Sequence, residues 1–294
     1  MIYWYSGTGN TRYAASYIAT ATGDDRDLFM RRDSRLSQIT MLQKAGKLPM
    51  PQPPENPVDS KEVSGFFCPV YSWGIPPVVL YWIRNCLDAE AARGTYIYAV
   101  LTCGDETGRA PQMLRKALAR RGLSLDAIWS VQMPNDYVLL PGFSVDDPQL
   151  AQRKLEAAPK RLDEIAAQIR GQVRTEDCVE GPAARLKTGM VYPLFRRWGT
   201  SFGHWKIDRD KCICCGRCVS VCPVDNITME EARPDDKIQT IYRGDGNNCG
   251  LIRAAYPKWG KKCISCCACY NACPEHIIEF RRFTRGKGQY YCPF

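Results

Sequence analysis

Two runs of cysteine carry the clearest chemistry in this 294-residue sequence. Cys212, Cys215, Cys218 and Cys222 stand in CICCGRCVSVCP, and Cys263, Cys266, Cys269 and Cys273 stand in CISCCACYNACP. Both read C-x2-C-x2-C-x3-C-P, and the second begins 51 residues after the first. Three thiolates so spaced on a tight loop cap one face of an iron–sulfur cubane, while the fourth, at a helix start, points away and reaches a neighbouring cluster. The spacing predicts two [4Fe-4S] clusters with crossed ligation. Cys212, Cys215, Cys218 and Cys273 form one set, and Cys263, Cys266, Cys269 and Cys222 the other. Pro223 and Pro274 close the runs, where a missing amide proton costs little. Zinc is the competing reading, but zinc sites pair short two-cysteine units, or such a unit with histidines, around one tetrahedral ion. Cys214 and Cys267 lie inside the runs but off register, and read as non-ligands.

A second kind of chemistry opens the chain. The apolar stretch Ile2–Tyr5 runs into SGTGNT, Ser6 to Thr11, and then into a helical pattern through about Ala21. Gly7 and Gly9 allow close backbone approach to an anion. Ser6, Thr8, Asn10 and Thr11 add side-chain donors, and the following helix start presents amides, so a phosphate belongs there. Neither the GK[ST] of a Walker loop nor a dinucleotide G-x-G-x-x-G is present.

Further strand-like runs end in loops with the same promise. Gly65–Val70 ends in YSWG, with Ser72, Trp73 and Gly74, and a helix follows over Ile75–Leu87. Tyr96–Thr102 ends in CGDETG, with Cys103, Gly104 and Asp105, before a helix over Ala110–Arg121. Ile128–Met133 ends in PNDY, with Asn135 and Tyr137, before a long amphipathic helix over Pro148–Arg170. With a short second strand at Asp27–Met30, five strands alternate with helices. That predicts an α/β domain with a doubly wound five-stranded parallel sheet of order 2-1-3-4-5, whose loops meet outside the strand carboxyl ends. Residues 31–62, polar and proline-rich, predict an irregular connection.

These loops resemble those of flavodoxins, which carry a similar phosphate loop, a T-W-G turn whose tryptophan stacks on the isoalloxazine, and a C-G-D-x-x-Y loop. The resemblance implies FMN bound by Ser6–Thr11, Ser72, Trp73, Gly74, Cys103, Gly104 and Asp105. Asn135 and Tyr137, on the same edge, are candidate further neighbours. Gly108 occupies the place of the family's stacking tyrosine, which leaves one flavin face open or covered by something other than this loop. The cysteine-bearing part resembles the two-cluster bacterial ferredoxins. Together the halves resemble the flavodoxin–ferredoxin fusion family: a flavodoxin-like domain at 1–173, a basic aromatic linker at 174–205, and a small α+β two-[4Fe-4S] ferredoxin domain at 206–294 with an insert at about 229–262. The linker reads most simply as a helix buried between domains. The alternative is an arm packed on the flavin domain or touching a partner or membrane surface.

Composition bounds the rest. A 45% apolar content supplies the cores, and 16 cysteines without a secretory signal favour metal over disulfides and a reducing compartment, most simply the cytoplasm. No apolar run approaches the ~20 residues that span a bilayer. The net charge of +9, most of it carried after residue 173, suits an acidic redox protein partner. No groove-reading or base-stacking module points to nucleic acid. The functional expectation is an electron carrier: each cluster handles single electrons and a flavin one or two, so the series couples the two kinds of step. The alternative is a reductase in which an exposed flavin face admits a small oxidised substrate, with Asp136 or Tyr137 positioning it. Of the two imidazoles, His204 and His276, the second follows Cys273 closely and reads as structural.

Overall fold

Each apolar run that alternates with helical sequence becomes a strand of one parallel sheet. The computed structural model describes residues 1–24, 26–30, 48–59, 61–199, 205–237, 240–244 and 249–294. Most of the 31–62 connection, residues 245–248 of the insert and His204 lie outside the described residues. The chain divides into two compact units. One comprises Met1–Asn135, Asp146–Arg197 and Cys292–Phe294, and the other Asp136–Val145 and Trp198–Tyr291.

In the first unit, β1 (Ile2–Trp4), β2 (Asp27–Phe29), β3 (Val63–Pro69), β4 (Tyr96–Cys103), β5 (Ala127–Gln132) and β6 (Glu176–Asp177) lie in the order β2-β1-β3-β4-β5-β6. Every pair is parallel. The five-stranded order 2-1-3-4-5 is therefore present, with β6 added at the edge. That strand is two exposed acidic residues held by pairing with Ile128 and Trp129, so no apolar signal announces it. A parallel sheet is covered on both faces, and β4 accordingly has no exposed position. Gly65 has a packing cause: a Cβ there would lie 2.5 Å from the ring of Tyr98, which is fully buried.

The helices are α1 (Asn10–Thr22), α2 (Pro77–Asn85), α3 (Ala89–Ala92), α4 (Ala110–Ala119) and α5 (Pro148–Arg170). α1 packs with α5 and α2 with α4, forming the two helical layers of a doubly wound sheet. Tyr17 donates to Asp163 Oδ1 at 2.9 Å and Arg170 to the Ala21 carbonyl at 2.8 Å, fixing the first pair. α5 starts where Asp147 accepts from the Leu150 amide and Pro148 occupies the first helical position. α1 stops at Gly23, whose φ of 75° is a left-handed cap. Beyond β6, α6 (Ala184–Leu186) and α7 (Tyr192–Leu194) belong to an irregular helical segment with wide turns at Lys187–Val191 and Phe195–Gly199. Pro193, inside it, cannot supply an amide to a regular α-helical ladder. Up to Arg197 this segment folds with the first unit.

The second unit is built from two similar halves. β7 (Trp205–Ile207) leads into the first cysteine run, α8 (Arg217–Ser220) and β8 (Ile227–Glu231). β11 (Ala255–Trp259) leads into the second run, α9 (Ala268–Ala272) and β12 (Ile278–Phe280). Each half lends a strand to the other: β7 pairs antiparallel with β12, and β11 with β8. The insert is a hairpin, β9 (Thr240–Gly244) against β10 (Cys249–Arg253), prolonging the β8–β11 ladder. At its base Ala232, Ala254 and Tyr256 bury Cys214 in a small core bordered by Ile207 and Cys212. The insert therefore covers one side of the first cysteine loop.

Candidate functional site

In the first unit the candidate loops follow β1, β3, β4 and β5 and are tied together by side chains. Gly9 ends the first loop at φ 100° as the N-cap of α1, and Ser6 Oγ accepts from its amide at 3.1 Å. Asn10 Nδ2 donates to the Pro134 carbonyl at 2.9 Å, linking the first loop to the last, and the Thr11 and Thr102 hydroxyls share a bond of 2.6 Å. Asn10 and Thr11 are thus buried organisers of the loops. Thr8 accepts at its carbonyl from the Cys292 amide at 2.8 Å, and a Cβ on Gly9 would lie 2.8 Å from Cys292 Cβ. The terminal residues Cys292–Phe294 therefore pack on this loop, with Phe294 5.4 Å from the Tyr13 ring and under the Arg12 guanidinium. Arg12 Nε is buried without a hydrogen-bond partner. A cation with an orphaned donor, in the first turn of a 13-residue helix after a glycine loop, fits a phosphate-class anion. Sequence reading passed over Arg12 because a helix-surface arginine has an ordinary solvated role.

The YSWG turn is strained. Tyr71 and Gly74 exchange backbone bonds of 2.9 and 3.1 Å, and the two residues between them, Ser72 and Trp73, have φ of 49° and 61°. Left-handed conformations at non-glycine residues cost on the order of 1–3 kcal/mol each and collect at ligand sites. The surrounding contacts hold this turn in place. Trp73 Nε1 donates to Glu106, which also pairs with Lys187, and the Lys187 ammonium sits 5.3 Å from the Trp73 ring centroid. Thr188 Oγ1 donates to the Trp73 carbonyl at 2.7 Å and accepts from the Arg109 amide at 2.9 Å. Gly74 faces the Tyr192 ring, and Tyr192 donates to the Ile75 carbonyl. At Gly108, φ 54°, a Cβ would meet Trp73 Cβ at 2.6 Å and Thr188 Oγ1 at 2.8 Å. The place beside Gly108 is therefore filled by the 184–197 segment and the turn itself, so glycine is required there by crowding.

Lys154 holds the last two loops. Its Nζ, on α5, reaches Asp146 at 2.7 Å and Asp105 at 3.1 Å, and Asp146 also accepts from the Asn135 amide at 3.0 Å. Burial alone would push the Lys154 pKa down, but the bonds to Asp146 and Asp105 outweigh it and the net shift is upward. Asp105 is thereby oriented by an ion pair, while Gln132 binds its carbonyl at 2.7 Å. Gly104 lies against Asn135, and Cys103 is buried, its thiol pushed up to about 12 by burial. Tyr137 folds with the second unit, edge-on to Phe143.

In the second unit, Cys212, Cys215, Cys218 and Cys273 line one cavity, together with Met229, Pro257 and Pro274. Three come from the first run and one from the second. Burial raises the Cys212 thiol to about 12 and the Cys218 thiol to about 11, and Cys215 and Cys273 are among the groups felt by Cys218. Cys222, Cys263, Cys266 and Cys269 form the other group. Burial raises Cys266 and Cys269, and both feel Cys263 and Cys222. Amides point at these sulfurs: Asn226 N–H at Cys222 (3.2 Å) and Ser265 N–H at Cys263 (3.4 Å). Among the described residues no three His, Cys, Asp or Glu side chains draw together as they would round a single metal ion. Four cysteines around one cavity, Cys212, Cys215, Cys218 and Cys273, are the ligand type an iron–sulfur cluster takes.

The two runs match turn for turn. Cys214 and Ser265 take the same left-handed conformation, φ 53° and 56°, and Gly216 and Cys267, φ 71° and 57°, cap α8 and α9. The Cys214 and Cys267 thiols bond carbonyls of their own loops, those of Cys212 and Ser265. A serine and a glycine serve equally at the matching positions, which explains why these two cysteines fall outside the ligand spacing.

The 4Fe-4S binding domain family matches residues 205–228. Ferredoxin-3 of Nostoc sp. is 30% identical over 79 residues, 27% of this chain and 77% of that protein. The zinc-containing ferredoxin of Thermoplasma acidophilum is 30% identical over 145 residues, 43% of this chain and 94% of its own. The chain belongs to the 4Fe-4S ferredoxin family. It accordingly carries an iron–sulfur centre and serves electron transfer. Among solved structures, the Trp repressor binding protein from Bacillus subtilis aligns with 56% of this chain and 96% of its own at 13% identity and a TM-score of 0.33. The NAD(P)H:quinone oxidoreductase from Methanothermobacter marburgensis aligns with 56% and 94% at 13% identity and a TM-score of 0.28. No described helix is long and apolar enough to cross a membrane.

Proposed function

We propose that this ferredoxin-family chain is a flavodoxin–ferredoxin fusion that moves electrons between two [4Fe-4S] clusters and FMN, exchanging them with a redox protein partner. When bound, the clusters supply one-electron steps and the flavin one- or two-electron steps, so the assembly couples the two. The observation that carries the cluster part is the meeting of Cys273 with Cys212, Cys215 and Cys218 around one cavity, across 55 to 61 residues of sequence. In this reading Cys222 completes the set of Cys263, Cys266 and Cys269. For the flavin, the supporting observations are the loop after β1 with Arg12 behind it and the strained Ser72–Trp73 turn on the same sheet edge. Residues 6–11 would hold the phosphate, and Trp73, Gly74, Gly104, Asp105 and Asn135 would bind the rest of the flavin. The 184–197 segment packs on this edge through Lys187, Thr188 and Tyr192, which favours electron exchange through protein over substrate chemistry.

The test is anaerobic purification with iron, acid-labile sulfide, zinc and flavin analysis, for wild type and Cys273→Ala. Wild type should hold about eight irons per chain, the content of two cubanes, and one FMN. C273A should lose one cluster's worth of iron and keep its FMN. Loss of both clusters from C273A fits two cages that share strands. A variant with undiminished iron rules out the crossed assignment, and a wild type without flavin rules out the flavin part.

A further inference from the structure

The two cysteine cages are built on the same repeat, yet their surroundings differ in one donor type. Trp205 Nε1 donates to Cys263 Sγ at 3.4 Å from β7. Trp259, on β11, has an indole N–H that is buried and lacks a hydrogen-bond partner of normal geometry. Trp259 stands four residues before Cys263, on the strand that leads into the second run. The two indoles lie nearly parallel with centroids 6.4 Å apart, and Trp205 also packs on Phe280, so neither ring is free to turn away. The same offset that relates the runs places Tyr256 opposite Trp205 and Asp208 opposite Trp259. Tyr256 lies beneath the Arg209 guanidinium in the small core around Cys214. Asp208 accepts from the Asp210 amide and pairs with Lys211. Among the described residues, the donors shown for the first group of thiols are backbone amides such as those of Cys214 and Val219.

We infer that Trp205 and Trp259 are tuning residues of the second cage alone, their indole N–H groups raising the reduction potential of the cluster held by Cys222, Cys263, Cys266 and Cys269. The inference rests on the two-cluster reading above. Reduction adds one electron, taken from a partner redox protein, and that negative charge spreads over the cluster and its cysteine sulfurs. No bond breaks and no proton leaves the indole. A buried N–H dipole aimed at a sulfur stabilises the more negative state, and the low dielectric around it strengthens the effect. The orphaned Trp259 N–H is consistent with this: an unpaired buried donor is costly, and a charged sulfur is the acceptor that relieves it.

The test is an anaerobic redox titration of the full-length holoprotein, reduced with dithionite and followed by electron paramagnetic resonance, for wild type, Trp205→Phe and Trp259→Phe. Phenylalanine keeps an aromatic ring and removes the N–H. Each variant should lower one of the two cluster potentials, the same one in both cases, and leave the other in place. Two unmoved potentials, or two potentials that fall together, overturn the inference. A second measurement needs no variant. Wild type grown with indole-15N tryptophan should show 15N coupling to one reduced cluster by pulsed resonance, and absence of that coupling also overturns the inference. Iron analysis of wild type separates the two levels of failure. A chain with a single cluster refutes the two-cluster reading, whereas two clusters with insensitive potentials refute only the tuning role.

Discussion

At the scale of single residues, the cofactor loops are held by groups that touch no candidate ligand. Lys154 is the clearest. Its ammonium and Asp146 are both about nine-tenths buried, and Asp146 in turn fixes the Asn135 amide. Lys154→Met should destabilise the first unit by about 3 kcal/mol, because it strands a buried carboxylate. Thermal unfolding checks this, and flavin retention should weaken in parallel. The pH dependence has a definite sign. The folded-state Lys154 pKa lies above its ordinary value of 10.5, so this contribution is fully present below 10.5 and is lost as the pH rises through the folded value. An alkaline melt of wild type should therefore fall more steeply than that of K154M. Gly74 offers a steric counterpart: the Cβ of Gly74→Ala would lie 2.4 Å from the Tyr192 ring. Overpacking of this kind costs about 1–3 kcal/mol. G74A should lower the unfolding temperature, and a partial rescue is expected in G74A with Tyr192→Leu.

At the scale of elements, the two cysteine halves and the 184–197 segment behave differently. The halves exchange strands, so β7 is completed by β12 and β11 by β8. Neither half can form its ladder without the other, which couples the two cages during folding. The 184–197 segment is a clamp on loops, since Thr188 holds Trp73 and Arg109 while Lys187 holds Glu106. Thr188→Val removes two hydrogen bonds centred on the strained turn, worth roughly 1 kcal/mol each. In the flavin-loaded protein T188V should bind flavin more weakly and quench its fluorescence less, while the iron content stays constant. A fall in iron with unchanged flavin would contradict the placement of this segment. Much of the element plan was legible beforehand. α5 was readable from its amphipathic spacing over Pro148–Arg170, and β1 to β5 from their alternation with helices. β6 was not, because two acidic residues carry no apolar period and their strand exists only through pairing with β5. Tyr137 was assigned by its position after β5, whereas its partner, Phe143, lies in a loop that folds with the second unit.

At the scale of the molecule, the two units are not consecutive pieces of chain. Asp136–Val145 leaves the first sequence half to fold with the second unit, and Cys292–Phe294 does the reverse. Within the second unit Asn271 donates to the Asp136 carbonyl at 3.2 Å, and Lys287 to the carbonyls of Val138 and Leu140 at 2.7 and 2.6 Å. Val138 and Leu139 are buried. A fragment cut at the linker, residues 206–294, should therefore retain less iron after reconstitution than the full chain, and adding residues 136–145 as a peptide should restore part of it. The net charge of +9 adds a long-range term. Electron exchange with an acidic redox protein should slow as salt rises from low to physiological strength, where screening shortens to about 8 Å.

The sequence by itself determined the chemistry that depends on spacing: two runs of four cysteines on one repeat, with Cys214 and Cys267 off register, and four loops that follow strands of a parallel sheet. Those follow from local periodicity, because a loop of fixed spacing and a strand of fixed pleat present the same groups wherever they fold. Tertiary structure alone decided what surrounds them. Lys154 on Asp105, Thr188 on Trp73, the terminal residues on the Ser6–Asn10 loop and Trp205 on Cys263 all join residues far apart in the chain. No periodicity records such contacts, since each is selected by the packing of elements that are locally independent.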